Sequence, residues 1–227
     1  YENYLKYIEW SSKTHGTERR SAVAGAADEI RMIHSPESYA PFSVRTVASN
    51  GNVWDGKEDC SSISRMPSTE ELLEIGKGKG CVAENILSIA HHFRYGEFDW
   101  FTGGDCQYIR REQFDYLDIE APIAAVMGKV DGMKAGHHST KGTNSQELLD
   151  VLKPDFVIAG TWKDIHPNHA TAKRFFKASP DVKFYTTNLT EGAKKILTEN
   201  GVDWTMFAGT QGHVVVKVAP GGDEYRI

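Results

Sequence analysis

Apolar and polar positions along the chain change their rhythm several times, and each change predicts an element. Tyr4, Leu5, Ile8 and their aromatic neighbours recur at helical spacing from Glu2 to Trp10, so a short helix is expected there, its pattern ending before Gly16. From Thr17 to Ile33 the pattern is mixed, with two short strands expected around Gly25. Phe42-Ser43-Val44-Arg45-Thr46-Val47 alternates with period two, and Asn50-Gly51 ahead of Val53-Trp54 is a hairpin signal, because the favoured two-residue turn needs positive φ at both central positions. Gly, Ser, Lys and Glu crowd residues 56–83, which read as a surface excursion. It holds one helix, from Ser68 to Ile75, in which Ser68 or Thr69 caps and Glu71 sits at the third position.

From Asn85 the alternation sharpens. Leu87, Ile89, His91 and Phe93 fall on one face of a strand, with Ile86, Ser88, Ala90 and His92 on the other. A Tyr95-Gly96-Glu97 turn leads into Phe98–Thr102, an antiparallel partner whose far end delivers Asp105. A polar helical stretch near Arg110–Leu117 precedes a strand that ends at His137. Asn144 with Glu147 forms a capping pattern for a helix through Leu148, Leu149, Val151 and Leu152, and Pro154 follows it. Phe156–Gly160 reads as a buried strand, Asn168 caps a helix through Phe175 and Phe176, and Val182–Thr186 is another strand. Thr190–Asn200 is a helix closed by Gly201, and two last strands, Val202–Phe207 and His213–Val218, flank a Gly209–Gly212 turn. Strand, helix, strand, helix, strand is an α/β layer order, with antiparallel hairpins at both sides.

Composition narrows the picture only a little. A chain of 227 residues with 40% hydrophobic content suits one domain with a sizeable core. Its formal charge of −5 gives no global basic footprint for nucleic acid, although a local basic groove remains compatible with it. Cys60, Cys81 and Cys106 show no C-x-x-C pairing, so neither a disulfide framework nor a zinc knuckle is indicated, and this usage slightly favours a cytoplasmic setting. No run of eighteen apolar residues is present, so no membrane segment is expected in this chain, and no signal peptide is read.

The chemistry concentrates at strand ends. Gly103-Gly104-Asp105 closes one apolar run, and Gly136-His137-His138-Ser139-Thr140 closes another. A carboxylate at one strand end and an imidazole at the next is a common way to assemble a divalent-metal site. Asp105 alone would read as a turn residue, but two adjacent imidazoles need solvent or a ligand to satisfy four ring nitrogens. His137 is therefore the ligand candidate, and His138 either binds as well or supports it by hydrogen bonding. His166 and His169 surround Pro167-Asn168 at a strand-to-helix junction, where α/β loops present functional groups to substrate or metal. Lys134 and Lys141 bracket the histidine pair and could neutralise a phosphate; solvated surface lysines are the plain alternative. His91 and His92 lie mid-strand and point opposite ways, while His15, His34 and His213 read as ordinary surface residues.

Asn85, Tyr95-Gly96, Thr102-Gly103-Gly104-Asp105, Val130 through Lys141, Leu152-Lys153-Pro154 and His166-Pro167 occur in that order ahead of a helix. This set resembles the metallo-β-lactamase superfamily, and within it the hydrolase-like domain of ComEC-type DNA-uptake competence proteins. The likeness covers roughly residues 84 to 200. It implies an α/β fold of the αββα sandwich type, with Asp105 bridging or binding a Zn or Mn ion and His137 completing a second metal position. His166 or His138 would protonate the leaving group or hold its oxyanion, with Lys141 and His169 on the substrate side. The implied activity is metal-assisted hydrolysis of a phosphodiester, in a small molecule or a nucleic acid.

The superfamily's first signature, His-x-His-x-Asp-His, does not occur in this sequence. Residues 1–83 are therefore expected to be a remnant of the first half of the sandwich, truncated or with one metal subsite lost, and residues 84–227 its second half, all within a single domain. Two other classes stay open. One is a non-catalytic nucleotide or nucleic-acid binding module on the same fold. The other is an assembly role in which edge strands near Val202–Val218 pair with another chain.

Overall fold

Ten strands and six α-helices are present in the computed structural model, which describes residues 2–59, 61–64, 66–77, 84–109 and 114–227. In chain order they are α1 (Glu2–His15), β1 (Phe42–Ser49), β2 (Asn52–Trp54), β3 (Ser62–Ser64), α2 (Thr69–Lys77), β4 (Ala90–Tyr95), β5 (Phe98–Thr102) and α3 (Glu120–Val126). Then come β6 (Gly132–Lys134), α4 (Gln146–Leu152), β7 (Phe156–Ala159), α5 (His169–Ala178), β8 (Lys183–Thr186), α6 (Glu191–Glu199), β9 (Lys217–Val218) and β10 (Tyr225–Arg226). The fold is mixed α/β, and no described helix is long and apolar enough to cross a membrane.

Eight strands form one sheet in the order β3-β2-β1-β4-β5-β6-β7-β8. Antiparallel pairing holds from β3 to β5, and β5 through β8 run parallel. The sheet crosses the expected boundary at residue 83, since β1 is hydrogen-bonded to β4. Parallel neighbours that advance in one direction through crossovers of one hand place their helices on one face. Accordingly α3 packs on α4, and α4 on α5.

Strand register explains where the core sits. Phe101, Met133, Val157 and Phe184 are lateral neighbours on the helix-covered face, and all four are buried with Leu149, Leu152 and Phe175. Each such side chain is worth about 1.5–3 kcal/mol of burial. One residue earlier on each strand, Trp100, Gly132 and Phe156 form the matching row on the opposite face. There the Phe156 ring lies 5.6 Å from Trp100 and 5.3 Å from Tyr225 of β10.

Gly132 is required by this row, because a Cβ built on it would fall on the Phe156 ring. A strand alanine normally gains about 0.5–1 kcal/mol over glycine, whereas overpacking costs about 1–3 kcal/mol. Gly132→Ala is therefore expected to destabilise, and pairing it with Phe156→Leu to recover at least about 1 kcal/mol of the summed cost. Additive urea midpoints in this cycle would show that no clash exists.

Several elements follow their sequence signals. Asn50 and Gly51 take φ of 51° and 77° and close the β1–β2 hairpin. Ser68 and Glu71 form a reciprocal capping box before α2, with Ser68 N donating to Glu71 Oε2 and Glu71 N to Ser68 Oγ. Asn168 caps α5 as expected, and Thr190, expected as the first residue of its helix, instead caps α6 by accepting from Ala193 N.

Others are corrected. Residues 17–33 hold no strand; Gly25 N donates to Thr46 O and Thr46 N to Ala26 O, so the segment meets β1 by single bonds around a glycine turn. Glu84–Leu87 is a 3-10 turn, and the strand expected from Asn85 begins only at Ala90. Ile86 is drawn into a separate apolar cluster with Tyr116 and Leu117. The excursion contains a strand, β3, while its residues 78–83 lie outside the described residues. The polar helical stretch is described only from residue 114, where Asp115–Leu117 is 3-10, and α3 was not expected. Ser145, not Asn144, caps α4 by accepting from Leu148 N. Val202–Phe207 is not a strand: Trp204–Met206 is a 3-10 turn and Phe207 stacks on Phe184 at 4.8 Å. Residues 208–210 then hydrogen-bond alongside β8 and Leu189, so this stretch covers the β8 edge of the sheet. Lys217–Val218, the end of the last expected strand, pairs with β10 instead.

Candidate functional site

Three neighbouring parallel strands, β5, β6 and β7, end on the same edge of the sheet, which is where ligands of α/β sheets commonly bind. β5 runs out into Gly103-Gly104-Asp105, β6 into Gly136-His137-His138, and β7 into the loop from Gly160 to His166. The first two loops are tied together. His137 N donates to Gly104 O at 3.1 Å, and Lys134 Nζ donates to the same carbonyl at 3.0 Å and to Ala135 O at 3.2 Å. Asp105 N donates to Ser88 Oγ at 3.3 Å. Burial lowers the pKa of Lys134, while Asp105 beside it favours the charged ammonium.

His137, His138 and Ser139 have φ of 41°, 58° and 61°, a conformation that L residues adopt only when the surroundings over-determine it. A buried network supplies that constraint. Asn144 Oδ1 accepts from Gly136 N at 2.8 Å and its Nδ2 donates to Gly136 O at 3.2 Å, fastening both backbone groups at the loop's entry. Asn144 N and Ser145 N in turn donate to Glu120 at 2.7 and 2.6 Å. Arg174 of α5 closes the other side, donating to Asn144 O and Thr143 O at 2.8 Å each and to Lys141 O at 3.2 Å. Asn168 N donates to Ser139 O at 2.8 Å. Glu120 is 1% exposed, and burial pushes its carboxyl up to about 7 despite the two amide donors that favour its charge.

The imidazoles meet inside this frame. His138 Nδ1 lies 2.8 Å from Gly160 O, and because a carbonyl only accepts, Nδ1 carries the proton and a neutral ring keeps its lone pair on Nε2. The ring stacks on His166 at 5.5 Å and 19°, and Trp162 sets its ring at 4.2 Å and 77° to His138. His137 lies 5.8 Å from His138 between ring centroids, and its Nδ1 is 3.1 Å from Asn85 Nδ2. His166 is 4% exposed, and its Nδ1 is buried without a hydrogen-bond partner among the described residues. Burial first, then the neighbouring His138, Lys163 and His137, lowers its pKa below the usual imidazole value.

Of the expected site residues, the fold thus joins His138 and His166 by stacking, sets His137 beside His138, and brings the Asp105 loop against His137. Lys141 is exposed and His169 half-buried at the start of α5. Their side chains take no part in the hydrogen bonds and ring contacts just described among the described residues. Sequence reasoning missed Glu120, Asn144 and Trp162 as parts of this edge. An acid inside the apolar run Leu117–Val126 was the available signal for Glu120, and an aromatic directly after a buried strand was the signal for Trp162.

A protein-bound zinc site draws on three or four side chains. Among the described residues no group of three or more His, Cys, Asp or Glu side chains comes together to hold an ion. The described side chains therefore do not fit a complete metal site, and Asp105 and His137 offer at most part of one. No protein-family model matches the chain, and no curated protein matches it.

Proposed function

We propose that the chain is a phosphodiester-hydrolysing domain of the metallo-β-lactamase type, with the histidine edge of β5, β6 and β7 as its working site. One observation carries the reading: these adjacent parallel strands deliver Asp105, His137-His138 and His166 to one edge, with His137 N bonded to Gly104 O. In the fuller αββα arrangement a second sheet would face the row of Trp100 and Phe156. A Zn or Mn ion would take Asp105 and His137 and would need further ligands from outside the described residues. The proton chemistry falls to the histidines. His138 presents Nε2 as an acceptor or, once protonated, as a donor toward a leaving oxygen, and His166, with its pKa lowered, backs it as a neutral ring. Lys134 and Lys141 supply positive charge for the phosphate.

A non-catalytic nucleotide-binding module is the second reading, favoured by the failure of three ligands to converge among the described residues. Elemental analysis with Zn or Mn supplied, together with turnover of bis(p-nitrophenyl) phosphate, separates the two. Hydrolysis by the parent chain with near-stoichiometric metal, and loss of both in Asp105→Ala, is the expected result. Phosphodiester binding without turnover supports the module, and activity unchanged in Asp105→Ala removes that residue from the site.

A further inference from the structure

The loop after β7 presents two large apolar side chains to solvent beside the buried histidine, Trp162 at 51% and Ile165 at 59% exposure. The Trp162 ring meets His138 at 4.2 Å and His166 at 5.1 Å, both edge-on, and Lys163 Nζ lies 5.8 Å from its centroid. A tryptophan braced by two imidazoles while half its surface stays in water gains nothing for the core by being there. It does make a flat aromatic surface beside His138, with the Lys163 ammonium over the ring. Aromatic rings next to positive charge are how proteins hold unpaired nucleobases without reading their sequence. Asp164, the acidic group on the same loop, is engaged by Thr190 Oγ1 at 2.6 Å.

We infer that Trp162 is a stacking platform for an unpaired nucleobase, and that it makes this edge selective for single-stranded nucleotide chains over a bare phosphodiester. The inference rests on the phosphodiester reading of the same edge and names what lies beside the phosphate. Duplex DNA keeps its base faces stacked and offers nothing to the ring, so the platform discriminates against it.

Fluorescence anisotropy of labelled dT10 and of a ten-residue abasic chain of equal charge tests this, in EDTA so that no hydrolysis intervenes. The parent chain is expected to bind dT10 about tenfold more tightly than the abasic chain, the preference that stacking one base provides. Trp162→Ala should bind both chains equally, and Trp162→Phe should recover most of the preference. Absence of a base preference in the parent chain, no binding of either chain, or a preference that survives Trp162→Ala would overturn the inference. Hydrolysis is measured separately with metal present: base preference without turnover retains the platform and removes the enzyme, whereas turnover without base preference does the reverse.

Discussion

Glu120→Ala is expected to lower stability by about 3–5 kcal/mol, because it strips the acceptor from two buried backbone N–H groups, each costing about 1–3 kcal/mol when unpaired. Those donors, Asn144 N and Ser145 N, start the turn that fastens Gly136 and hence the strained His137-His138 pair. Glu120→Gln retains one acceptor and turns an N–H toward the other amide, so it should cost less, about 1–3 kcal/mol. The pH dependence separates the charge from the shape. The carboxyl's folded pKa of about 7 stands above its ordinary value of 4.5, so between those limits the native state holds a proton that the unfolded chain has released. Stability from this group is thus greatest in acid and falls as pH rises from about 4.5 to about 7, by on the order of 3 kcal/mol at most. His91, His92 and His166 act in the opposite sense. Burial lowers the pKa of each, so their contribution is lost as pH falls below the ordinary imidazole value of 6.5. Between pH 7 and 5 the two effects therefore oppose each other in the parent chain, while Glu120→Gln keeps only the histidine contribution and should lose stability as pH falls over that range. A parent-to-Gln difference in urea midpoint that stays constant from pH 5 to 8 would be incompatible with a buried Glu120 of raised pKa.

Much of the frame around this site was legible because its signals are local. Asn50-Gly51, the Ser68–Glu71 box and the Asn168 cap each act over two to four residues, and the structure uses them as the sequence suggests. The strand ends at Asp105 and His137 were readable for the same reason, as apolar runs stopped by glycine. What escaped is tertiary. Asn144 and Ser145 compete for one cap; Ser145 wins it because Asn144 is claimed by Gly136, eight residues back, and the sequence holds no trace of that. α3 is short, carries Pro122 and is apolar nearly all round, so it lacks a helical stripe; its acid becomes meaningful only against amides twenty-four and twenty-five residues away. Residues 202–207 have the hydrophobicity of a strand, yet Phe207 is stacked on Phe184 and Phe176, side chains of β8 and α5 that the local pattern does not announce. Trp162 likewise takes its meaning from His138, brought to it by the loop after β6.

If the chain hydrolyses phosphodiesters as proposed, replacing His138 should slow that reaction by about 10²- to 10⁴-fold, the range for removing a positioned general acid or base. The expectation follows from one hydrogen bond. Gly160 O fixes the proton on Nδ1, which leaves Nε2 as the single ring nitrogen able to exchange a proton with a substrate. Loss of that bond alone costs stability only about 0.5–1.5 kcal/mol, so His138→Ala should remain folded. A purely structural role for the ring makes a different prediction, and His138→Asn tells the two apart. Its Nδ2 can take the place of Nδ1 and still donate to Gly160 O, but nothing replaces Nε2. Equal loss of kcat in the Ala and Asn variants, with KM little changed and one limb of the pH profile gone, assigns proton transfer to Nε2. Near-parent turnover in His138→Asn would show instead that the ring only holds the loop, and proton transfer would pass to His166. In that ring Nδ1 has no hydrogen-bond partner among the described residues.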